Sequence, residues 1–333
     1  MSQTLVEILG VTEDVDGACG PERLLVGIDV GGTTVKVALV TLDGVVQARD
    51  AVRTKSMRTG EEVLEAAKQV QALVAENLKP QQQVAAVGLA LPGVVTAEDT
   101  LLMAPNVDVD LEGLILALER VMGVKVYPVN DANAAALGEM WKGAGEGARN
   151  LVFVTLGTGV GGGMVFDGAV AVGRNGGAGE IGHIVVEPGG RQCNCGQRGC
   201  LEMYTSSRGL VYLYRAACEA AGEDPVPLEH DAHALPIFDA ARTGDPVARG
   251  AISQYSAYLG RALGMLACAL DPEAFVIGGG MSAAFDLFGP ELVAAYQAAT
   301  LPTCADTPIV EATMGNLAGM VGAAYHAKTR EGL

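Results

Sequence analysis

Apolar and glycine-rich stretches alternate from residue 24 onward, and the first of them is LLVGIDVGGTTVKVALV (24–40). Two runs rich in Val and Leu flank a Gly-Gly-Thr-Thr turn, which predicts a β-hairpin continuing into VVQARD. The period then changes. In EEVLEAAKQVQALVAENL (61–78) the residues Val63, Leu64, Ala67, Val70, Leu73 and Val74 recur at helical spacing and form one apolar stripe. VAAVGLALPGVV (84–95) reads as a buried strand closed by a Pro-Gly turn, and after APNVDVD comes a second amphipathic helix, LEGLILALERVM. VKVYPVN (124–130) is a short strand that runs through Asn130 and Asp131 into an alanine-rich helix. Residues 203–221 and 235–270 read as helical. AFVIGGGMSAAFDLF (274–288) reads as a strand, a triple-glycine turn and a helix start, and PIVEA with MGNLAGMVGAAYHAKT as a final strand and helix. Strands alternating with helices of this length predict an α/β fold with a largely parallel sheet.

The segment LVFVTLGTGVGGGMVFDGAV (151–170) contains Gly157, Gly159 and Gly162 in the spacing of a dinucleotide-binding turn. That motif needs a helix directly after the glycines, to hold a pyrophosphate at its N-terminus. Here the glycines lead into a strand-like run. The segment is therefore a second glycine hairpin, and the pair suggests an internal duplication that clamps phosphates from two sides. No Walker-type phosphate loop is present.

With 333 residues, 50% of them hydrophobic, the chain can bury one large core or two of moderate size, and two lobes are expected. The formal charge of −17 argues against general affinity for nucleic acid or for anionic membranes, both of which need a basic face. No run is long and apolar enough to span a bilayer. The first twenty residues carry no basic leader pattern, and of the seven cysteines four are scattered singly (Cys19, Cys218, Cys268, Cys304). A cytoplasmic, reduced protein is expected.

Candidate chemistry concentrates at three places. Asp29 ends an apolar strand beside a glycine turn, a place for a metal–phosphate group or simply a solvated hairpin turn. Asn130 and Asp131 stand at the carboxyl end of a strand, where either a helix N-cap or a ligand site fits. Between 176 and 202, His183, Cys193, Cys195 and Cys200 give H-x9-C-x-C-x4-C. Four protein ligands of this kind form the closed, structural type of zinc site; the alternative is reduced thiols in a surface loop. Glu180 and Glu202 flank that set, as surface glutamates or as acceptors held toward a polyol.

Asp29-Val-Gly-Gly-Thr-Thr-Val-Lys36, Asn130-Asp131, Leu156-Gly-Thr-Gly-Val-Gly-Gly-Gly163, Glu180-Ile-Gly-His183, Cys193-Asn-Cys-Gly-Gln-Arg-Gly-Cys-Leu-Glu202 and Ile277-Gly-Gly-Gly280 together resemble the ROK family of sugar kinases and repressors. Within it they look most like the bacterial ATP-dependent glucokinases. The resemblance covers residue 24 to the end and implies the two-lobed actin/hexokinase/Hsp70-like ATPase fold. It implies an N-terminal extension (1–22), a small lobe (23–130 plus 316–333) and a large lobe (131–315) carrying the zinc loop. By the same resemblance Asp131 is the catalytic base for a hexose 6-hydroxyl, and Asn106, Asn130, Glu180, His183 and Glu202 bind the sugar. His183, Cys193, Cys195 and Cys200 bind structural zinc. Asp29, Gly31, Gly32, Thr33, Gly157, Thr158, Gly159, Gly279 and Gly280 would surround ATP and Mg²⁺. Hexose and ATP are the implied partners, in a homodimer or higher homo-oligomer. Ala90 departs from the pattern, standing where related kinases often carry a glycine. A repressor of the family would need a helix-turn-helix, which the short N-terminal segment is not expected to supply.

Overall fold

The structure is a computed structural model that describes residues 21–31, 34–54, 57–104 and 108–333. Gly32, Thr33, Asn106 and residues 1–20 of the expected extension lie outside the described residues.

The first hairpin forms as its apolar alternation demands. Strands β1 (Glu22–Val30), β2 (Thr34–Thr41) and β3 (Val46–Arg53) run as an antiparallel meander, with Asp29 directly across from Lys36. Helix α1 (Gly60–Asn77) starts at a capping box in which Thr59 and Glu62 exchange side-chain-to-amide bonds. Strand β4 (Gln82–Leu91) then pairs parallel to β1, and a ribbon of β5 (Val94–Val95) and β6 (Leu101–Met103) follows. Helix α2 (Leu111–Met122) is capped by Asp110 and stopped by Gly123 at φ 69°. The cap contributes about 1 kcal/mol. Burial of Leu111, Leu114 and Leu118 contributes about 1.5–3 kcal/mol each, so packing rather than capping holds this helix in place. Strand β7 (Val126–Asn130) completes a sheet of order β3-β2-β1-β4-β7 and runs straight into α3 (Asp131–Lys142).

The second half repeats the scheme. Strands β8 (Leu151–Leu156), β9 (Val160–Phe166) and β10 (Ala169–Val170) form another antiparallel meander. Strands β11 (Ala274–Gly278) and β12 (Ile309–Glu311) add in parallel to give the order β10-β9-β8-β11-β12. The same order and the same strand senses in both sheets bear out the duplication read from the two glycine hairpins, and with it the actin/hexokinase/Hsp70-like architecture. Inserted between β10 and β11 are the cysteine loop, a short helix α4 (Glu202–Thr205) and helices α5 (Ser207–Ala221), α6 (Leu235–Thr243) and α7 (Pro246–Leu270). Helices α8 (Phe285–Ala299) and α9 (Ala318–Arg330) follow β11 and β12.

Two expected helices are broken. The stretch 235–270 splits because Gly244 adopts φ 101° and Asp245 accepts the amides of Val247 and Ala248, restarting the chain as α7. The stretch 203–221 splits at Ser206, whose hydroxyl accepts the Gly209 amide and caps α5.

In the first sheet Leu24, Val26 and Ile28 face α1 and α2, while Leu25, Ala38 and Ala86 face α9. In the second, Leu151, Phe153 and Val276 face α3, and Val152 and Val154 face α5 and α7. The two sheets are thus backed by α9 and α3, and these helices cross in direct backbone contact. A Cβ on Gly322 would lie 1.7 Å from the Ala134 carbonyl oxygen, and one on Gly138 2.2 Å from that of Ala318. No helix among the described residues is long and apolar enough to cross a membrane.

Candidate active site

The carboxyl ends of β1, β7, β8 and β11 open on one cavity of about 820 Å³. Ligands of open α/β sheets bind at such ends. Asp29, Asp131, Gly157, Thr158, Gly159, Glu202, Gly279 and Gly280 all line it, so most of the residues singled out in sequence converge on one space. Gly31 lies beside it, its amide donating to the Thr34 carbonyl (2.9 Å) to close the first hairpin. Asn106, Gly32 and Thr33 lie outside the described residues.

Asn130 and Asp131 divide the two readings of their position. Asn130 is the N-cap of α3: its Oδ1 accepts the amides of Ala132 (3.0 Å) and Asn133 (3.1 Å), and its Nδ2 donates to the Gly93 carbonyl (3.1 Å). One N–H of Asn130 remains for a ligand. Asp131 lines the cavity, its Oδ1 sharing the Ala132 amide with Asn130 (2.9 Å). It is open to solvent on one side, yet desolvation by the surrounding protein pushes its carboxyl above the usual carboxylate value; the Ala132 amide pulls against this, and the charges of Asp29 and Glu180 push upward with the desolvation. A carboxylate raised in this manner is a better proton acceptor.

On the opposite wall, the turn between β8 and β9 is held at both ends. The Gly157 carbonyl accepts the Ser207 amide (2.8 Å), and Glu202 accepts the Val160 amide (3.0 Å). Beside it Gly279 sits at φ 86°, where a Cβ would lie 2.3 Å from the Leu156 carbonyl oxygen, so this turn admits only glycine.

The cysteine loop folds on itself. His183, Cys193, Cys195 and Cys200 bring one ligand atom each within 4.8 Å of one another. His183 Nδ1 stands 3.7 Å from Cys193 Sγ, and Cys195 Sγ stands 3.6 Å from Cys200 Sγ. Tetrahedral zinc with bonds of about 2.3 Å to sulfur and 2.0–2.1 Å to nitrogen needs donors roughly 3.5–3.8 Å apart, so these residues fit that ion. The other ring nitrogen of His183 points to Glu180, with Nε2 4.0 Å from Oε2. Glu180, His183 and the cysteines do not line the large cavity; they reach it through Glu202, two residues beyond Cys200.

Two further residues of the cavity wall were assigned no role from sequence. Lys36 lines the cavity and pairs with Asp29, Nζ to Oδ2 at 3.3 Å. Glu139, wholly buried on α3, accepts the amides of Ala144 (2.8 Å), Thr313 (3.1 Å) and Met314 (2.8 Å), anchoring the segment that brings Asn316 and Gly319 into the cavity wall. A buried carboxylate survives only with such partners. The single sequence signal for it is a charged residue on the buried face of an alanine-rich helix. Ala90 is absorbed by packing: it is fully buried with Val129, Ala134 and Ala323, away from the cavity.

The ROK family model matches residues 25–330. A glucokinase of Halalkalibacterium halodurans is 39% identical over 319 residues, covering 93% of this chain and 96% of the relative. An N-acetylmannosamine kinase of Escherichia fergusonii is 32% identical over 306 residues, covering 90% and 97%. Among solved structures, a ROK family glucokinase from Streptomyces griseus in complex with glucose and AMPPNP superimposes with a TM-score of 0.73 at 34% identity, covering 92% of this chain and 99% of that one.

Proposed function

The chain belongs to the ROK family, and from the chemistry of its cleft we propose that it is a hexose kinase, transferring the γ-phosphoryl of ATP to the 6-hydroxyl of a hexose, glucose above others. The observation that carries this reading is Asp131: a carboxylate of raised basicity at the start of α3, lining one cavity together with the glycine turn between β8 and β9. Asp131 takes the proton of the sugar hydroxyl as that oxygen attacks phosphorus. The transition state is loose, so the remaining residues position reactants and offset charge. Turn amides around Gly31, Gly157, Thr158 and Gly159, with Gly279 and Gly280, hold nucleotide and phosphates. Asp29, half-buried with one oxygen on Lys36, suits the Mg²⁺ that accompanies ATP.

The sugar lies between Asp131 and the arc of Asn130, Glu180, His183 and Glu202. Zinc, when bound by His183, Cys193, Cys195 and Cys200, supplies rigidity and no open coordination position. It fixes the His183 tautomer and leaves Nε2–H to donate. The similarity to a glucokinase supports glucose as substrate, and the similarity to an N-acetylmannosamine kinase supports the alternative of a 2-acetamido sugar. ADP release measured against glucose, mannose, fructose and N-acetylhexosamines, with polyphosphate in place of ATP as a control, tests both. Absence of phosphorylation of every hexose would favour a sugar-responsive regulator instead.

A further inference from the structure

The β5–β6 ribbon is fastened at its turn to α9. Asp99 in that turn sits at φ 59°, a left-handed backbone that favours glycine and, after it, asparagine and aspartate. Burial pushes the Asp99 carboxyl up, but donors from His326 and Arg330 outweigh it and hold the group below its ordinary value, so it is ionised. Its Oδ1 accepts from His326 Nε2 (3.1 Å) and from Arg330 Nε (3.0 Å) and Nη2 (2.7 Å), and Arg330 Nη2 also donates to the Ala97 carbonyl. The Asp99 and His326 side chains are 15% and 14% exposed, so solvent screens this cluster less than an open surface pair. Beside the turn lies a cavity of about 200 Å³ walled by Ala97, Leu137, Val170, Tyr325 and His326. The turn is thus held to α9 by polar contacts more than by close packing.

The other end of the ribbon meets the residues assigned to the sugar. The Gly93 carbonyl accepts Asn130 Nδ2 (3.1 Å) and so fixes the amide whose Oδ1 caps α3. Val94 packs on the turn at Gly176 (φ 73°), where a Cβ would lie 2.5 Å from Val94 Cγ1, and Glu180 follows four residues later. The ribbon therefore braces both Asn130 and the approach to Glu180. No ribbon residue lines the large cavity in which the nucleotide is placed.

We propose that Asp99 is a positioning residue for the hexose: by fastening the ribbon to α9 it sets where Gly93 holds Asn130 and where Val94 meets the segment entering Glu180. This rests on the kinase reading above. With the latch gone, part of the binding energy of the sugar goes into re-ordering its own contacts, and hexose affinity falls. Asp131 rides on α3, which α9 supports directly, so the phosphoryl-transfer step keeps its frame.

Asp99→Gly isolates the latch, because glycine adopts the left-handed turn freely while the carboxylate is deleted. Hexose KM, and hexose Kd by calorimetry, are expected to rise roughly 5–20-fold, with kcat and ATP KM within about twofold of wild type. Asp99→Asn, which keeps the turn and an acceptor oxygen, should recover part of the loss. Arg330→Met should reproduce it, and the Asp99→Gly/Arg330→Met double variant should lose little more than either single one. A hexose KM in Asp99→Gly within about twofold of wild type overturns the proposal, as does a loss shared equally by hexose KM, ATP KM and kcat. Losses that add in the double variant overturn the link to Arg330. A wild-type chain that binds hexose without phosphorylating it overturns the kinase reading and leaves the Kd comparison to decide Asp99; one that binds no hexose overturns both.

Discussion

The carboxylate of Glu202 accepts the Val160 amide at 3.0 Å, and a Cβ on Gly159 would stand 2.6 Å from the same oxygen. This contact joins the end of the cysteine loop to the glycine turn between β8 and β9. Glu202 thereby couples the two halves of the site. Truncation in Glu202→Ala removes a hydrogen bond to a charged group, worth about 1.5–3 kcal/mol at full burial and less at this half-buried position. The expected result is a fall of about tenfold or somewhat more in kcat/KM, with KM raised for hexose and ATP together. An effect on hexose KM alone would restrict Glu202 to the sugar.

Asp131→Asn is expected to cut kcat about 10²–10⁴-fold while hexose still binds, as judged by calorimetry. The pH dependence follows from the direction of the Asp131 shift. A base must be ionised to act, and burial raises this carboxyl above its ordinary 3.8, so kcat/KM of the wild type should fall on acidification at a pH above the ordinary carboxylate range. Stability carries the opposite sign. A carboxyl whose folded pKa is raised binds more protons in the folded state, so stability declines as pH rises through the folded pKa. The Asn variant escapes that penalty and should melt higher than wild type at neutral pH. Wild-type turnover in Asp131→Asn would sink the assignment.

What the sequence made legible depends on how local each feature is. The β1–β2 hairpin, α1 and α2 follow from periodicity and caps within a few residues of each element. The α6–α7 break had its signals in Gly244, Asp245 and Pro246, but the apolar run beyond them masked the interruption. Asn130 shows that a capping residue and a site residue can be neighbours, a division that the dipeptide alone cannot make. Glu139 was invisible for a different reason. The amides that satisfy Glu139 at Thr313 and Met314 are about 175 residues away, and nothing in the chain order announces that meeting. The His183 place in the metal set was legible from H-x9-C-x-C-x4-C, but its sugar-binding role came from resemblance, and only the fold shows which ring nitrogen meets the thiols and which turns toward Glu180.

Removal of the metal should separate the two substrates. The purified chain is expected to hold one zinc per protomer, and Cys195→Ser or chelation to release it. Structural zinc contributes on the order of 10 kcal/mol to ordering of zinc-finger peptides. Part of that remains local here, because Val186, Leu201 and Tyr204 bury the loop in the large core. Hexose KM should then rise more than ATP KM, with a lower melting temperature. A metal-free protein of full activity and unchanged hexose KM would remove zinc from the account.

The α3–α9 crossing sets two effects of opposite sign against each other at one atom. Alanine is favoured over glycine inside a helix by about 1 kcal/mol, so Gly322→Ala gains that much in propensity. The added Cβ, however, would lie 1.7 Å from the Ala134 carbonyl oxygen, a rigid backbone group on the facing helix. Overpacking of this kind costs about 1–3 kcal/mol or more, so the clash wins. Gly250 on α7 provides the contrast, since a Cβ there would meet nothing within 4 Å and the propensity gain stands alone. Thermal melting should therefore rank Gly250→Ala at or above wild type and Gly322→Ala below it. Because α9 backs the first sheet and α3 the second, separating the helices also shifts Asp131 relative to Asp29, and Gly322→Ala should lose kcat/KM as well. A Gly322→Ala enzyme that melts and turns over like wild type would show that the two helices part without consequence for either lobe.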